Sequence, residues 1–235
     1  MTFEDKHEPQ TVRELIFADK ATQATCLRYA TGKPYKPLML WGEPGTAKTT
    51  TARVIVRERY RAAGYDGAIE EFNAADLTPR DFDKLTNIGS FLRFTTGDPI
   101  VLINEIDVFE RDVQAKFRSW MDRHKWINLI VTTNEQPDVE GVRQKLMPAL
   151  RSRFEKVDLA RPSVQDCVPR AQAILQQEGC AVSTQEVQLL MSAFTGDIRE
   201  MLPLLEEAVE HLQQGTPPQP PKPSLKVVSS AGGAA

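Results

Sequence analysis

No stretch of this sequence reaches the roughly 18 uninterrupted apolar residues that a membrane-crossing helix needs, so a helical membrane protein is excluded. The opening Met1-Thr2-Phe3-Glu4-Asp5-Lys6 is too polar for a signal peptide, and a cytoplasmic location without membrane contact is expected. Cysteine is scarce: Cys26, Cys167 and Cys180 are widely spaced and form no CxxC pair, which argues against a zinc site or a disulfide framework and for reduced structural thiols. The three histidines, His7, His124 and His211, lie far apart, offer no metal or switch pattern, and are expected at the surface. Charge of neither sign dominates: the net charge of −3 lacks the basic excess of many small nucleic-acid binders. It does not exclude one, since a ring of subunits gathers a positive lining from a few residues per chain.

What is present is a globular composition, 41% hydrophobic and 26% charged, over 235 residues, enough for one α/β domain and a small appended one. Short apolar runs at Pro37–Trp41, Ile69–Asn73, Ile100–Asn104, Leu129–Thr133 and Phe154–Leu159 read as strands. Between them, Lys48–Ala63, Pro79–Phe94, Arg111–Arg123 and Val142–Leu150 have helical period. That alternation predicts an α/β domain over residues 1–160, a parallel sheet covered by helices on both faces. Beyond it the pattern is helical only, over Pro162–Glu178, Ser183–Phe194 and Asp197–Gln214, predicting a small helical domain over 161–214. Residues 215–235 open with five prolines in the seven residues 217–223 and are expected to form a disordered tail.

Gly42-Glu43-Pro44-Gly45-Thr46-Ala47-Lys48-Thr49-Thr50 follows the first strand and opens a helix, the context a phosphate-binding loop requires. Backbone N–H groups of such a loop point at a β-phosphate, and the helix N-terminus adds partial positive charge. Lys48 is the expected bridge between β- and γ-phosphates and Thr49 the expected Mg²⁺ ligand. Ala47 replaces the glycine of GxxxxGK[ST]; the substitution is mild with helical dihedrals and damaging only at positive φ.

Val101-Leu102-Ile103-Asn104-Glu105 is an apolar strand ending in a polar pair, where an Asp-Glu pair normally holds Mg²⁺ and polarises the attacking water. Glu105 is therefore the candidate catalytic base, and Asn104 a metal-side residue without negative charge. Slow but real ATP hydrolysis is expected.

The strings that follow resemble the small ATPase subunits of clamp loaders, of the replication factor C and phage types, within the AAA+ ATPases. Asn104-Glu105-Ile106-Asp107 is similar to Asp-Glu-Ala-Asp, Glu71-Phe72-Asn73-Ala74-Ala75-Asp76 to Glu-Leu-Asn-Ala-Ser-Asp, and Val108–Asp122 to the helix after the acidic strand. Leu129-Ile130-Val131-Thr132-Thr133-Asn134 resembles the sensor 1 strand, Arg151-Ser152-Arg153 the Ser-Arg-Cys motif, and Gly196-Asp197-Ile198-Arg199 the sensor 2 string. The resemblance covers about Glu8 to Leu212. It implies a P-loop AAA+ domain with a five-stranded parallel sheet and a C-terminal helical lid. Asn134 would then position water, Arg153 reach a neighbouring subunit's γ-phosphate as an arginine finger, and Arg199 touch the γ-phosphate from the lid. Val12 and Ile16 would lie beside adenine.

By the same resemblance Gln114 couples DNA contact to the ATP site, and Arg80, Lys84, Lys116 and Arg118 are candidate contacts to DNA phosphates. Other AAA+ subunits, DNA and a sliding clamp are the implied partners, with a cytoplasmic or nucleoid-associated location. Clamp-loader subunits also carry a helical collar, for which the proline-rich tail leaves no room. An alternative reading is a weakly hydrolysing AAA+ interaction protein with a mobile-element, plasmid or helicase-loader role.

Overall fold

The computed structural model of the chain describes residues 1–32, 36–137 and 144–214. The expected disordered tail, 215–235, lies outside the described residues. Five strands, β1 (Leu38–Trp41), β2 (Glu71–Asn73), β3 (Ile100–Asn104), β4 (Asn128–Thr133) and β5 (Glu155–Asp158), form one sheet in the order β2-β3-β4-β1-β5. Every pairing is parallel, with Trp41 beside Thr133, Ile103 beside Val131 and Asn73 beside Asn104. β3 is buried at all five positions, as a strand covered on both faces must be. The expected α/β class therefore holds.

The sheet's two faces carry separate cores. On one, α2 (Lys20–Thr31) and α3 (Lys48–Ala62) pack Tyr29, Ile55 and Tyr60 against Leu38, Leu40, Ile100 and Leu102. On the other, α4 (Phe82–Thr96) and α5 (Arg111–Arg123) bring Phe82, Phe117 and Trp120 onto Val101, Ile103 and Val131. Phe117 and Trp120 stack with ring centroids 5.7 Å apart, and the Trp120 indole N–H donates to Thr86 Oγ1 at 2.9 Å, so the ring is buried without an unpaired donor. Further along, α7 (Val164–Gln177), α8 (Thr184–Leu190) and α9 (Ile198–Gln213) enclose a third core around Ile174, Leu175, Val187 and Leu205. Ser163 and Ser183 cap α7 and α8, each in a reciprocal capping box with an acid three residues on.

Three expectations are corrected. Helix over 142–150 is confined, among the described residues, to α6 (Pro148–Arg151), because residues 144–147 run irregularly and Lys145, Leu146 and Met147 give their backbone N–H groups to side chains. Two helices were not foreseen: α1 (Phe3–His7) and α2, whose start is fixed by the Asp19 carboxylate accepting from Thr22 N–H at 2.8 Å. Nor is His7 at the surface. It is 2% exposed, with Nε2 2.5 Å from a Glu178 carboxylate oxygen, pinning α1 to the end of α7.

Candidate nucleotide site

In a parallel sheet, chemistry collects beyond the carboxyl ends of the strands. Here β1 runs into the loop Gly42–Ala47, β3 ends at Asn104 and β4 ends at Thr133, side by side at one edge. α3 begins at Lys48, so the positive end of its dipole and its free first-turn N–H groups face this edge. The Lys48 ammonium is folded into its own loop, donating to the carbonyls of Gly42 at 2.9 Å and Glu43 at 2.8 Å. Burial pushes its pKa down; Asp107 and Glu105 oppose that shift, while Arg199 adds to it, so all three are in electrostatic reach of the ammonium.

Ala47 takes the unfavourable branch of its condition. It stands at φ 59°, ψ 30°, in the left-handed region, where a non-glycine residue costs roughly 1–2 kcal/mol. Glu105 is held the same way at φ 58°, ψ 45°, its N–H donating to Thr132 Oγ1 at 3.1 Å. Among the described residues these are the two non-glycine positions with positive φ, and they border one site. Backbone strain of this kind persists where the surroundings fix it, and functional sites are where it gathers. At Glu105 the effect is to turn the carboxylate out of the strand into solvent.

Asn104 is the hub of the metal side. Its Oδ1 accepts from Thr49 Oγ1 at 3.1 Å and from Thr132 Oγ1 at 3.0 Å, while its Nδ2 donates to Glu71 Oε1 at 2.6 Å. Thr49 and Asn104 thus present two neighbouring hard oxygens, a donor set that suits Mg²⁺ arriving with a nucleotide and keeping most of its water. Asp107, one residue past Ile106, accepts from Thr133 Oγ1 at 2.8 Å and from the Asn134 N–H at 3.3 Å, tying the acidic loop to the end of β4. Asn134 is exposed beside it.

A crevice of about 330 Å³ opens beside the loop, lined by Ile16, Ala47, Thr50, Ile174, Ile198 and Arg199 among others. The lining is mixed: beside its apolar residues stand Glu4, Asp5, Glu8, Glu14, Arg53 and Arg170, and the apolar part is what a base can pack against. Of the two residues expected beside adenine, Ile16 lines this crevice, whereas Val12 is fully buried in the core beneath, its N–H donating to Glu58 at 2.9 Å, and is no part of the crevice wall. The helical region closes the crevice from above. The Ile198 N–H donates to the Gly45 carbonyl at 2.9 Å, and Arg161 pairs with Glu43 at 2.6 Å. Arg199 is held by Asp197 through bonds of 3.1 and 3.2 Å, and its side chain is 70% exposed.

Arg153 is not among the residues lining this crevice. Its Nε and Nη2 reach the Asp122 carboxylate on α5 at 3.1 and 2.8 Å, and Nη1 donates to the Ala149 carbonyl at 2.6 Å. Gln114 is buried and spans two loops: its amide donates to Phe109 O at 2.8 Å and Lys145 O at 3.0 Å and accepts from Met147 N–H at 2.7 Å. The acidic loop and the segment leading to Arg153 are therefore joined through one side chain. Arg80, Lys84 and Lys116 are exposed on the turn before α4, on α4 and on α5, while Arg118 is half-buried; Lys84 pairs with Asp81 at 2.6 Å and Lys116 with Asp112 at 3.7 Å. Sequence reasoning missed Glu71, Thr132 and Asp197 as site residues, since nothing in their local pattern reports which side chains a parallel sheet brings beside them.

A phosphate loop at the end of β1, a polar pair at the end of β3 and a helical cap over both define a P-loop ATPase fold. Residues 38–161, more than half of the chain, match the family described as AAA, ATPase family associated with various cellular activities, and the chain belongs to that family. Within it the chain is similar to replication factor C subunits: it is 25% identical over 206 residues to replication factor C subunit 5 of Mus musculus, covering 86% of this chain and 58% of that protein. Replication factor C subunit 3 of Saccharomyces cerevisiae is 27% identical over 209 residues, again with 86% and 58% covered. The chain thus spans under two thirds of the length of these relatives. Among solved structures, the Thermotoga maritima RuvB Holliday junction branch migration motor superposes with a TM-score of 0.67 at 17% identity, covering 93% of this chain and 69% of that one. Domain III of the Thermotoga maritima replication initiation protein DnaA gives a TM-score of 0.63 at 15% identity, covering 88% and 90%. These two likenesses speak for the fold.

Proposed function

We propose that this chain binds and slowly hydrolyses ATP with Mg²⁺ as one subunit of a ring of AAA+ subunits that acts on DNA in replication. The observation that carries the reading is the convergence of Lys48, Thr49, Asn104 and Glu105 at one sheet edge under a helical cap bearing Arg199. Thr49 and Asn104 would hold Mg²⁺, which when bound would supply positive charge against the phosphates. The loop N–H groups and Lys48 hold the phosphates, Glu105 takes the proton of the attacking water, and Asn134 orients that water. Arg153 of a neighbouring subunit and Arg199 face the charge that grows on the γ-phosphate. Asn104 would offer an oxygen but no negative charge to the metal side, and turnover is expected to be slow for that reason. The likeness to replication factor C subunits supports the DNA and clamp roles. Arg80, Lys84, Lys116 and Arg118 are the contacts we assign to the DNA backbone.

The test is an ATPase assay on the purified chain, with partner subunits, primed DNA and a sliding clamp added in turn. Turnover above a Lys48→Ala control and stimulation by both DNA and clamp are expected. Nucleotide-dependent oligomerisation without turnover would instead support the interaction-protein reading. Arg153→Ala should abolish turnover of the assembly while leaving ATP binding by the single chain intact, and loss of that binding refutes the finger.

A further inference from the structure

Asn104 has two chemically different ends, and its neighbours decide which way they point. Glu71 is an acceptor when ionised and can take a hydrogen bond only from the amide nitrogen. The 2.6 Å contact to Glu71 Oε1 therefore sets Nδ2 on that side and turns Oδ1 to Thr49 and Thr132. Glu71 is itself fixed: Arg53 grips both its oxygens, Nε to Oε2 at 2.6 Å and Nη2 to Oε1 at 2.9 Å. Arg53 lies four residues after Thr49 on α3, one turn along the same face. Glu71 lies two residues before Asn73, the register partner of Asn104, and so on the same face of the sheet. Three elements thus converge on one carboxamide.

We propose that Glu71 is a positioning residue of the metal side, holding the Asn104 oxygen toward Thr49. The inference rests on the nucleotide-site reading above. Without Glu71, the carboxamide is free to turn its N–H groups toward the metal's position.

The test uses the whole chain and a fluorescent non-hydrolysable ATP analogue, with its dissociation constant measured in Mg²⁺ and in EDTA. The ratio of the two is the metal coupling, and it is read without any turnover. Glu71→Gln should lower that ratio at least fivefold in the natural background. In an Asn104→Asp background either end of the side chain is an oxygen, so Glu71→Gln should change the ratio less than twofold there, a loss of effect that reduced fold stability does not produce. Arg53→Gln, which releases Glu71 from its clamp, should lower the ratio in the natural background at about half the logarithmic effect, and it decides the matter if Glu71→Gln does not fold. An effect of the same direction and size in both backgrounds overturns the positioning role while leaving the nucleotide site standing. Failure of the natural chain to bind the analogue overturns both.

Discussion

The Asp197 carboxylate occupies the space a side chain on Gly45 would need: a Cβ built there meets the Asp197 Cγ and Oδ1 at 2.3 Å. Gly45 also sits at φ 86°, a conformation that residues with a Cβ adopt only under strain. The phosphate loop and the helical cap are therefore in contact through the one residue type that permits it. Gly45→Ala should break the Ile198 N–H bond to Gly45 O, weaken ATP binding at least tenfold and speed amide exchange at Ile198 and Arg199. Replacing Asp197 by alanine in the same chain should return part of that exchange protection, because the steric part of the damage is then removed. Equal exchange in the single and double variants would count against this contact.

Ala47 invites the opposite substitution. Its left-handed backbone costs roughly 1–2 kcal/mol, and glycine would remove that cost while adding about 0.5–1 kcal/mol of unfolded-state entropy. The first term is the larger, so Ala47→Gly should stabilise the chain by about 0.5–1 kcal/mol, a rise of a few degrees in Tm for a chain of this size. Thermal unfolding followed by circular dichroism checks it. A fall in Tm would mean that the alanine methyl makes a packing contact worth more than its backbone strain.

What could be read in the sequence follows from what each signal reports. β3 and α5 were legible because one is a continuous apolar run and the other a strongly amphipathic helix, and Arg111–Arg123 falls where the period puts it. α2 was not: it buries Cys26, Tyr29 and Ala30 among many polar neighbours, so its face is too narrow to stand out from the pattern. The loop, Glu105 and Arg199 were legible because their motifs fix spacing along the chain. Glu71 beside Asn104, and Asp197 on Gly45, are contacts across 33 and 152 positions that depend on strand order and lid docking, which no local pattern carries. The dihedrals of Ala47 were equally hidden, since the residue name reports the cost of a left-handed turn but not its presence.

Asp122 and Arg153 form an ion pair near the surface, with side chains 43% and 33% exposed. The Arg153 guanidinium holds the Asp122 carboxyl below its usual range, so the pair is complete at neutral pH and is lost only as pH falls through that lowered value. Such a pair contributes about 0–1 kcal/mol to stability. Its worth is orientation: the guanidinium donates two bonds to Asp122 and one to Ala149 O, and these fix its direction. Asp122→Asn should therefore leave Tm within a few degrees and reduce turnover of the assembled protein about tenfold, with ATP affinity of the single chain unchanged. Equal loss of binding and turnover would mean that Asp122 acts within its own subunit.

The buried thiols give a reading of global stability against pH. Cys26 and Cys167 are fully buried, and burial pushes both thiols up to about 12, with Asp19 and Asp166 adding to the effect. An exposed cysteine in the unfolded chain ionises near 9, so the unfolded state sheds protons that the folded state keeps. The sign is then fixed: these two groups leave stability untouched below about pH 9 and erode it as pH rises from about 9 toward about 12. Alkylation by iodoacetamide at pH 8 should accordingly be slow at Cys26 and Cys167 and follow the unfolding equilibrium, rising with urea in step with the loss of helical signal. Labelling of either thiol at the rate of a free cysteine in the folded chain would show that the core around it opens locally. Replacing both with alanine should flatten the fall in stability above pH 9, even though the cavities left behind lower the starting value.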